Sequence, residues 1–148
     1  DVDVPDMDDT AKDAVSKIAA VTGMSAAEAA KFYDAGVEKA SGLLEQAATP
    51  QGREELAATT GLDAEEVLTQ AKKLDLMRVK GVGVKYSALL LVSGVDTVPE
   101  LATRNSTNLT SKMTETNEAA GLVEELPSEQ EVSDWVAQAK DLPRMLYY

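Results

Sequence analysis

The residues with the clearest capacity for chemistry lie in the segment Lys80-Gly-Val-Gly-Val-Lys85. Gly81 and Gly83 flank one apolar residue, Val82, so the backbone can turn tightly around a buried side chain and expose its amide N–H groups. A helix that begins after Gly83 would place its positive end behind those amides. Lys80 and Lys85 would add positive charge on either side. The pattern predicts a cradle for an anion such as a backbone phosphate.

Net charge bears on whether this cradle holds a nucleic acid. The chain has 26 acidic against 14 basic residues and a formal net charge of −12, whereas nucleic-acid-binding domains usually carry a basic surface. Screening limits the reach of distant charges to about 8–10 Å at physiological salt, and residues 79–112 hold four basic against two acidic side chains. Two interpretations of the glycines therefore stay open, a phosphate-binding hairpin and a purely structural turn. The acidity fits either a saline cytoplasm or a basic partner surface.

The chain resembles itself at two fixed offsets. An offset of 58 residues aligns Val21-Thr-Gly-Met-Ser25 with Val79-Lys-Gly-Val-Gly83, and Ala35-Gly-Val37 with Ser93-Gly-Val95. An offset of 68 residues aligns Val67-Leu-Thr-Gln-Ala-Lys-Lys-Leu74 with Trp135-Val-Ala-Gln-Ala-Lys-Asp-Leu142. Matched segments in the same order predict internal duplication. We expect an acidic arm at residues 1–9, a first copy at 10–74 and a second copy at 75–148, with the two copies packed as one compact unit.

The first copy departs from the glycine pattern of the second. Four positions differ, each given as first copy and then second: Thr22 and Lys80, Ser25 and Gly83, Ala27 and Lys85, Glu28 and Tyr86. If both hairpins bound nucleic acid, the first would therefore bind it more weakly than the second.

Turn residues and apolar periodicity predict an all-α fold of about ten short helices. The predicted segments are 10–22, 25–35, 41–48, 50–60 and 63–74 in the first copy, and 75–80, 84–93, 97–104, 106–120 and 128–141 in the second. Four capping boxes mark helix starts: Ser25 to Glu28, Asp63 to Glu66, Thr97 to Glu100 and Ser128 to Glu131. Trp135 lies on the apolar face of the last segment and is predicted to be a core residue.

The glycine segment and its flanks resemble a helix-hairpin-helix motif. Across residues 76–142 the chain is similar to an uncharacterised, mainly bacterial family of tandem helix-hairpin-helix domains, a domain of unknown function. The segments that carry this resemblance are Met77-Arg-Val-Lys-Gly-Val-Gly83, Tyr86-Ser-Ala-Leu-Leu90, Gly94-Val-Asp-Thr-Val98 and Trp135-Val-Ala-Gln-Ala-Lys140. The resemblance implies a duplicated helix-hairpin-helix bundle. It also implies that Lys80, Gly81, Val82, Gly83 and Lys85 would hold backbone phosphates of duplex DNA without reading its sequence.

The composition argues against an enzyme. The chain contains no histidine and no cysteine, so the commonest general base and the thiolate nucleophile are both missing. We expect no catalytic residues, no cofactor, no metal site and no small-molecule substrate. No apolar run is long enough to cross a bilayer, so we expect no membrane insertion and a cytoplasmic location.

The sequence favours a docking role. We expect a non-catalytic helical accessory module that binds a protein partner as a subunit of a larger assembly. Candidate docking elements are the acidic arm and the segment Leu146-Tyr147-Tyr148, although these three residues would equally cover the protein's own core. Sequence-independent binding of duplex DNA through Gly81-Val82-Gly83 is the alternative.

Overall fold

The fold is all-α, as predicted. The computed structural model describes residues 7–148 and contains no β-strand in that range. The helices of this range are α1 (Asp9–Thr22), α2 (Ala26–Asp34), α3 (Ala40–Gln46), α4 (Pro50–Thr60), α5 (Ala64–Leu76), α6 (Val84–Val92), α7 (Val98–Ala102), α8 (Ser106–Ala120) and α9 (Glu129–Asp141). None of these helices combines the length and the apolar composition needed to span a membrane.

The predicted short helix at residues 75–80 does not form. Helix α5 continues to Leu76, and the chain then runs through tight turns closed by bonds between residues three apart, such as the amide of Val82 to the carbonyl of Val79 at 3.1 Å. The carboxylate of Asp75, buried at the end of α5, explains the change. It accepts the backbone N–H of Val98 and the guanidinium of Arg78, both at 2.8 Å, which ties the turn to the start of α7.

The chain divides into two compact units. Unit 1 comprises the residues up to Leu74 together with Met145–Tyr148, and unit 2 comprises Asp75–Arg144. The prediction that the two copies pack as one compact unit stays a prediction. Most of the predicted acidic arm, residues 1–6, lies outside the described residues. Asp8 caps α1, since its carboxylate accepts the backbone N–H of Ala11 at 2.8 Å, and Asp9 is already helical.

Each unit has its own apolar core. In unit 1, α1 packs against α2 and α3, and α4 packs against the same two helices. In unit 2, α9 packs against α7 and α8, and α8 also packs against α6. Trp135 of α9 is 2 % exposed and belongs to the unit 2 core, where it fixes the position of the glycine hairpin.

The local backbone repeats at the 58-residue offset. Gly36 follows α2 with φ +103°, and Gly94 follows α6 with φ +96°. The next residue donates its N–H back into the helix in both cases, Val37 to the carbonyl of Phe32 and Val95 to that of Leu90, at 2.9 Å each. These left-handed glycine caps end the two helices in the same way. Duplication of the whole copy remains a prediction.

Only one of the four predicted capping boxes shows both of its hydrogen bonds in the described structure. Ser128 accepts the N–H of Glu131, and the carboxylate of Glu131 accepts the N–H of Ser128. Ser25 and Thr97 cap their helices in one direction, toward the N–H of Glu28 and of Glu100. Other partners explain the missing halves. The Glu100 carboxylate pairs with Arg104 at 3.3 Å, and the Glu28 side chain lies beside that of Glu66, with which it shares a hydrogen bond when one of the two carboxyl groups is protonated.

Candidate docking site at the second hairpin

Most of the predicted cradle residues lie between α5 and α6, and Lys85 lies in the first turn of α6. Lys80, Gly81, Gly83 and Lys85 are exposed, and Val82 is buried in the unit 2 core. The apolar residue therefore anchors the turn while the residues around it face solvent. This arrangement defines the second hairpin, residues 79–85.

Gly81 is needed for both its conformation and its position. Its φ is +98°, in the left-handed region that favours glycine. A Cβ added at Gly81 would lie 2.9 Å from Nε1 of Trp135, whereas one added at Gly83 would meet no atom of the described residues within 4 Å. The two glycines thus have different roles. Gly81 lets the hairpin pack onto Trp135, and Gly83 leaves open space before α6.

Two of the hairpin amides are already used within the protein. The side chain of Gln138 on α9 accepts the N–H of Lys80 through Oε1 at 2.9 Å and donates to the Lys80 carbonyl through Nε2 at 3.1 Å. The N–H of Val82 donates to the carbonyl of Val79. A phosphate could not use either amide without breaking these bonds. The amides at the start of α6 differ. The N-cap residue of this helix is Gly83, and no side-chain hydrogen bond caps the helix among the described residues.

A pocket opens beside the hairpin. Its volume is about 410 Å³, and its lining residues are Gly81, Gly83, Lys85, Tyr86, Val123, Glu124 and Glu125. All of them belong to unit 2. Three segments form the walls of the pocket: the hairpin, the first turn of α6, and the loop between α8 and α9.

Side-chain hydrogen bonds fix the loop wall of the pocket. Asn117 on α8 accepts the N–H groups of Leu122 and Val123 at 2.8 and 3.0 Å through Oδ1, and its Nδ2 donates to the Val123 carbonyl at 3.0 Å. The hydroxyl of Tyr86 donates to the carbonyl of Glu125 at 2.9 Å. The loop is therefore held to α8 on one side and to α6 on the other.

Tyr86 connects the pocket to the core. Its ring lies 5.3 Å from the Trp135 ring, centroid to centroid, at an interplanar angle of 52°, a tilted arrangement that aromatic pairs favour. Burial raises the pKa of the Tyr86 hydroxyl, and the negative charges of Glu131 and Glu125 raise it further. The hydroxyl therefore stays protonated and keeps donating to Glu125.

The charge around the pocket is more acidic than the glycine motif indicated. Glu124 and Glu125 line it together with a single cation, Lys85, and Glu131 lies close enough to act on Tyr86. The local excess of positive charge lies along residues 79–112, whereas these three glutamates come from a later part of the chain. Folding brings them to the hairpin.

The predicted tail residues Leu146, Tyr147 and Tyr148 fall in two classes. Leu146 is 1 % exposed, whereas the exposed fractions of Tyr147 and Tyr148 are 50 % and 61 %. The N–H of Tyr147 donates to the carbonyl of Ala48 at 2.8 Å, within unit 1. The buried leucine thus anchors the segment to unit 1, and the two tyrosine rings stay at the surface.

Two cations flank the Tyr148 ring. The guanidinium carbon of Arg53 lies 6.0 Å from the ring centroid, and Nζ of Lys72 lies 5.8 Å from it, the range of cation–π attraction. Arg53 is itself buried and donates to the carbonyl of Ala47 at 2.9 Å. Its burial lowers the pKa of the guanidinium.

Sequence reasoning missed three residues that build the pocket, Tyr86, Asn117 and Gln138. Tyr86 and Gln138 stood in the matched segments, but their hydrogen bonds join residues 39 and 58 positions apart, which a single sequence does not reveal. Asn117 gave a local indication, since an Asn near a helix end followed by glycine often holds the next loop. Among residues 7–148, no group of three or more Asp and Glu side chains is placed to hold a metal ion.

Comparison with known proteins gives a family. The family described as Domain of unknown function (DUF4332) matches residues 22–142, which is most of the chain. The chain therefore belongs to this family. The same comparisons found no similar curated protein and no similar solved structure.

Proposed function

We propose that this DUF4332 domain is a non-catalytic helical docking module that binds a protein partner at the second hairpin. The observation that carries the proposal is the hairpin pocket, because its walls are held by side-chain hydrogen bonds within the free chain. Gln138 holds the hairpin, Asn117 holds the loop, and Tyr86 joins the loop to α6. A site whose walls are fixed in advance loses little conformational entropy on binding.

The side chains at the pocket support docking over catalysis. They are two glutamates, a lysine, a tyrosine and a valine, and the chain offers no histidine or cysteine to join them. The tyrosine hydroxyl is already donating to a backbone carbonyl. An apolar wall with charged residues at its edge is typical of a small contact site between proteins.

A photo-crosslinking amino acid placed at two matched positions tests the proposal. Lys85 is exposed at the pocket, and Ala27 is its counterpart 58 positions earlier, in the first hairpin (residues 21–27). We expect irradiation in the native host to yield protein adducts from the chain labelled at Lys85 and far fewer from the one labelled at Ala27. Nucleic-acid adducts from Lys85, or equal yields from both positions, would contradict the proposal.

The tail offers a further contact in the same proposal. Tyr147 and Tyr148 are exposed on a segment that Leu146 anchors to unit 1, and tyrosines are frequent at protein interfaces. A crosslinker at Tyr147 would show whether the same partner reaches this surface. Replacing Leu146 would not test docking, since its loss would disturb the unit 1 core.

A second candidate function is sequence-independent binding of duplex DNA through the Gly81-Val82-Gly83 hairpin. One observation favours it. Helix α6 begins at Gly83 without a side-chain cap from the described residues, and Lys80 and Lys85 are exposed nearby. Free amides at a helix start attract phosphate. The nearby Glu124 and Glu125 oppose it, since like charge repels the phosphate.

Fluorescence anisotropy with a short labelled duplex separates the two candidates. A DNA-binding hairpin would give saturable binding that weakens as salt rises and is lost in the double variant Lys80→Glu/Lys85→Glu. The matched control is Lys12→Glu/Lys17→Glu, which makes the same charge change on the exposed face of α1 in unit 1. Docking alone predicts no saturable binding even at low salt.

A further inference from the structure

We propose that the hairpin pocket receives an arginine side chain from a basic segment of the protein partner. This inference rests on the proposed docking function and specifies the chemistry of the partner. It is carried by the combination of cavity, aromatic wall and carboxylates at one place in unit 2. No single one of these features would identify a ligand.

The cavity suits a long side chain with an apolar stem. Its volume of about 410 Å³ lies within the range of sites that enclose small groups. Val123 and the ring of Tyr86 provide apolar surface in the lining. Gly81 and Gly83 also line the pocket and have no side chains that would fill it. The methylene groups of an arginine would pack against this surface while its charged end stays near the rim.

The charges around the cavity favour a cation. Glu124 and Glu125 are exposed and belong to the lining residues, and the charges of Glu131 and Glu125 act on Tyr86. The opposing positive charges are Lys85 in the lining and Lys80 on the hairpin. Three carboxylates against two ammonium groups leave the site acidic, within a chain whose net charge is −12. A basic segment would be attracted from a distance and held at the pocket.

Arginine fits these groups better than lysine. A guanidinium is planar, so it can stack on an aromatic ring and also donate two parallel hydrogen bonds to a carboxylate. Both kinds of partner occur among the lining residues, an aromatic ring in Tyr86 and carboxylates in Glu124 and Glu125. A lysine ammonium is a compact, strongly hydrated charge and would use only one of them at a time.

A matched pair of peptides tests the inference. The probe is a short fluorescent peptide of alternating arginine and alanine, and its control carries citrulline, which keeps the shape of arginine without the charge. We expect the arginine peptide to bind the full chain and the citrulline peptide to bind at least about tenfold more weakly. Equal binding of the two peptides would overturn the inference.

Charge variants show whether the peptide occupies the pocket. Glu124→Gln/Glu125→Gln removes both rim charges, and Glu115→Gln/Glu118→Gln removes two exposed charges from α8 outside the lining. The backbone carbonyl of Glu125 accepts the Tyr86 hydroxyl, so the pocket variant keeps that bond, and equal melting temperatures would verify its fold. We expect the pocket variant to bind the arginine peptide about five- to tenfold more weakly than the α8 variant. Equal weakening would assign binding to net charge and contradict the site.

The outcome of crosslinking separates this inference from the docking proposal. Protein adducts at Lys85 without selective binding of the arginine peptide would leave docking standing and remove arginine as the occupant. Failure of both experiments would remove the hairpin pocket as a docking site. Displacement of the peptide by a short duplex, together with loss of duplex binding in Lys80→Glu/Lys85→Glu, would assign the surface to DNA instead.

Discussion

The two hairpins differ in how their backbone amides are satisfied. Side chains of the first hairpin accept backbone N–H groups, whereas no described side chain caps the helix that follows the second hairpin. At the first hairpin, Thr22 accepts the N–H of Met24 at 3.2 Å, and Ser25 accepts that of Glu28 at 3.1 Å. At the second, Gly83 replaces Ser25 and has no side chain to cap α6. The two turns share a left-handed glycine, Gly23 with φ +78° and Gly81 with φ +98°. Helix α1 runs directly into Gly23, whereas α5 ends at Leu76, several residues before Gly81, so the two turns differ in backbone as well as in the capping residue.

The supporting glutamines show the same contrast. Gln138 binds both polar groups of the Lys80 peptide unit. Its counterpart at the 68-residue offset, Gln70, is buried, and its Oε1 has no partner among the described residues. The first hairpin has Thr22 to satisfy its turn and does not use this glutamine. In the second hairpin, Gln138 is the partner of both the N–H and the carbonyl of Lys80.

The third difference lies at the position after the hairpin. Tyr86 forms the wall of the pocket, whereas its counterpart Glu28 shares a hydrogen bond with Glu66. Both turns contain a left-handed glycine, and they differ in the side chains that surround it. Of the two hairpins, the second combines an open helix start with an aromatic wall.

The largest effect is expected from Gly81→Ala. The change forces an alanine into a left-handed conformation and places its Cβ 2.9 Å from the Trp135 indole. We expect a loss of about 2–4 kcal/mol in the free energy of unfolding, measured by denaturant titration. Gly83→Ala is the control, because its φ is −102° and the added Cβ has open space. Equal losses from the two variants would contradict the distinction between the glycines.

A smaller effect is expected from Gln138→Leu. This variant leaves the N–H and carbonyl of Lys80 without their partner, at a cost of about 1–2 kcal/mol. The same substitution at Gln70 removes a buried oxygen that has no described partner, so Gln70→Leu should be neutral or slightly stabilising. Hydrogen exchange of the Lys80 amide would report the loss locally. An equal loss of unfolding free energy in Gln70→Leu and Gln138→Leu would contradict the proposed difference between the two glutamines.

Exchanging the capping residues tests how each hairpin is closed. Ser25→Ala removes the cap of α2 and should cost about 1 kcal/mol. Gly83→Ser introduces the first hairpin's residue at the start of α6 and should add a few tenths of a kcal/mol. Thermal melts of the two variants against the parent chain provide the measurement. Destabilisation by Gly83→Ser would show that the start of α6 is not equivalent to that of α2.

The smallest effect concerns the pH dependence of unit 1. A hydrogen bond with Glu66, followed by burial, raises the pKa of Glu28 above its ordinary value of 4.5. The folded state therefore binds this proton more readily than the unfolded state. Its stabilising contribution is complete below pH 4.5 and is lost as the pH rises through the raised folded pKa.

Glu28→Gln should remove this dependence, because the amide is neutral at every pH. We expect the variant and the parent chain to have the same free energy of unfolding in acid. Toward neutral pH, the variant should become more stable than the parent. Glu65→Gln, an exposed charge on the neighbouring α5, is the control. Parallel curves of unfolding free energy against pH for Glu28→Gln and the parent chain would contradict a raised pKa of Glu28 in the folded state.

Local patterns predicted most of the fold, because glycine stops, proline starts and apolar spacing act within one helix. The helix predicted at 75–80 was wrong because the Asp75 carboxylate bonds Val98, 23 residues away. The exposed residues Lys80, Gly81 and Gly83 surround the buried Val82, and their role in binding phosphate stays a prediction. The pocket was not predicted, since the contacts of Tyr86 and Gln138 and the proximity of Glu124 and Glu125 depend on tertiary packing.

An amide-resolved NMR titration of the labelled full chain tests the central claim most directly, with the arginine peptide and a short duplex added in separate experiments. We predict that the peptide shifts the signals of Gly81, Gly83 and Val123 and leaves those of Gly23 and Ser25 in place, while the duplex shifts none of them. Equal shifts at both hairpins, or shifts at the second hairpin with the duplex alone, would contradict a protein-docking site at the second hairpin alone.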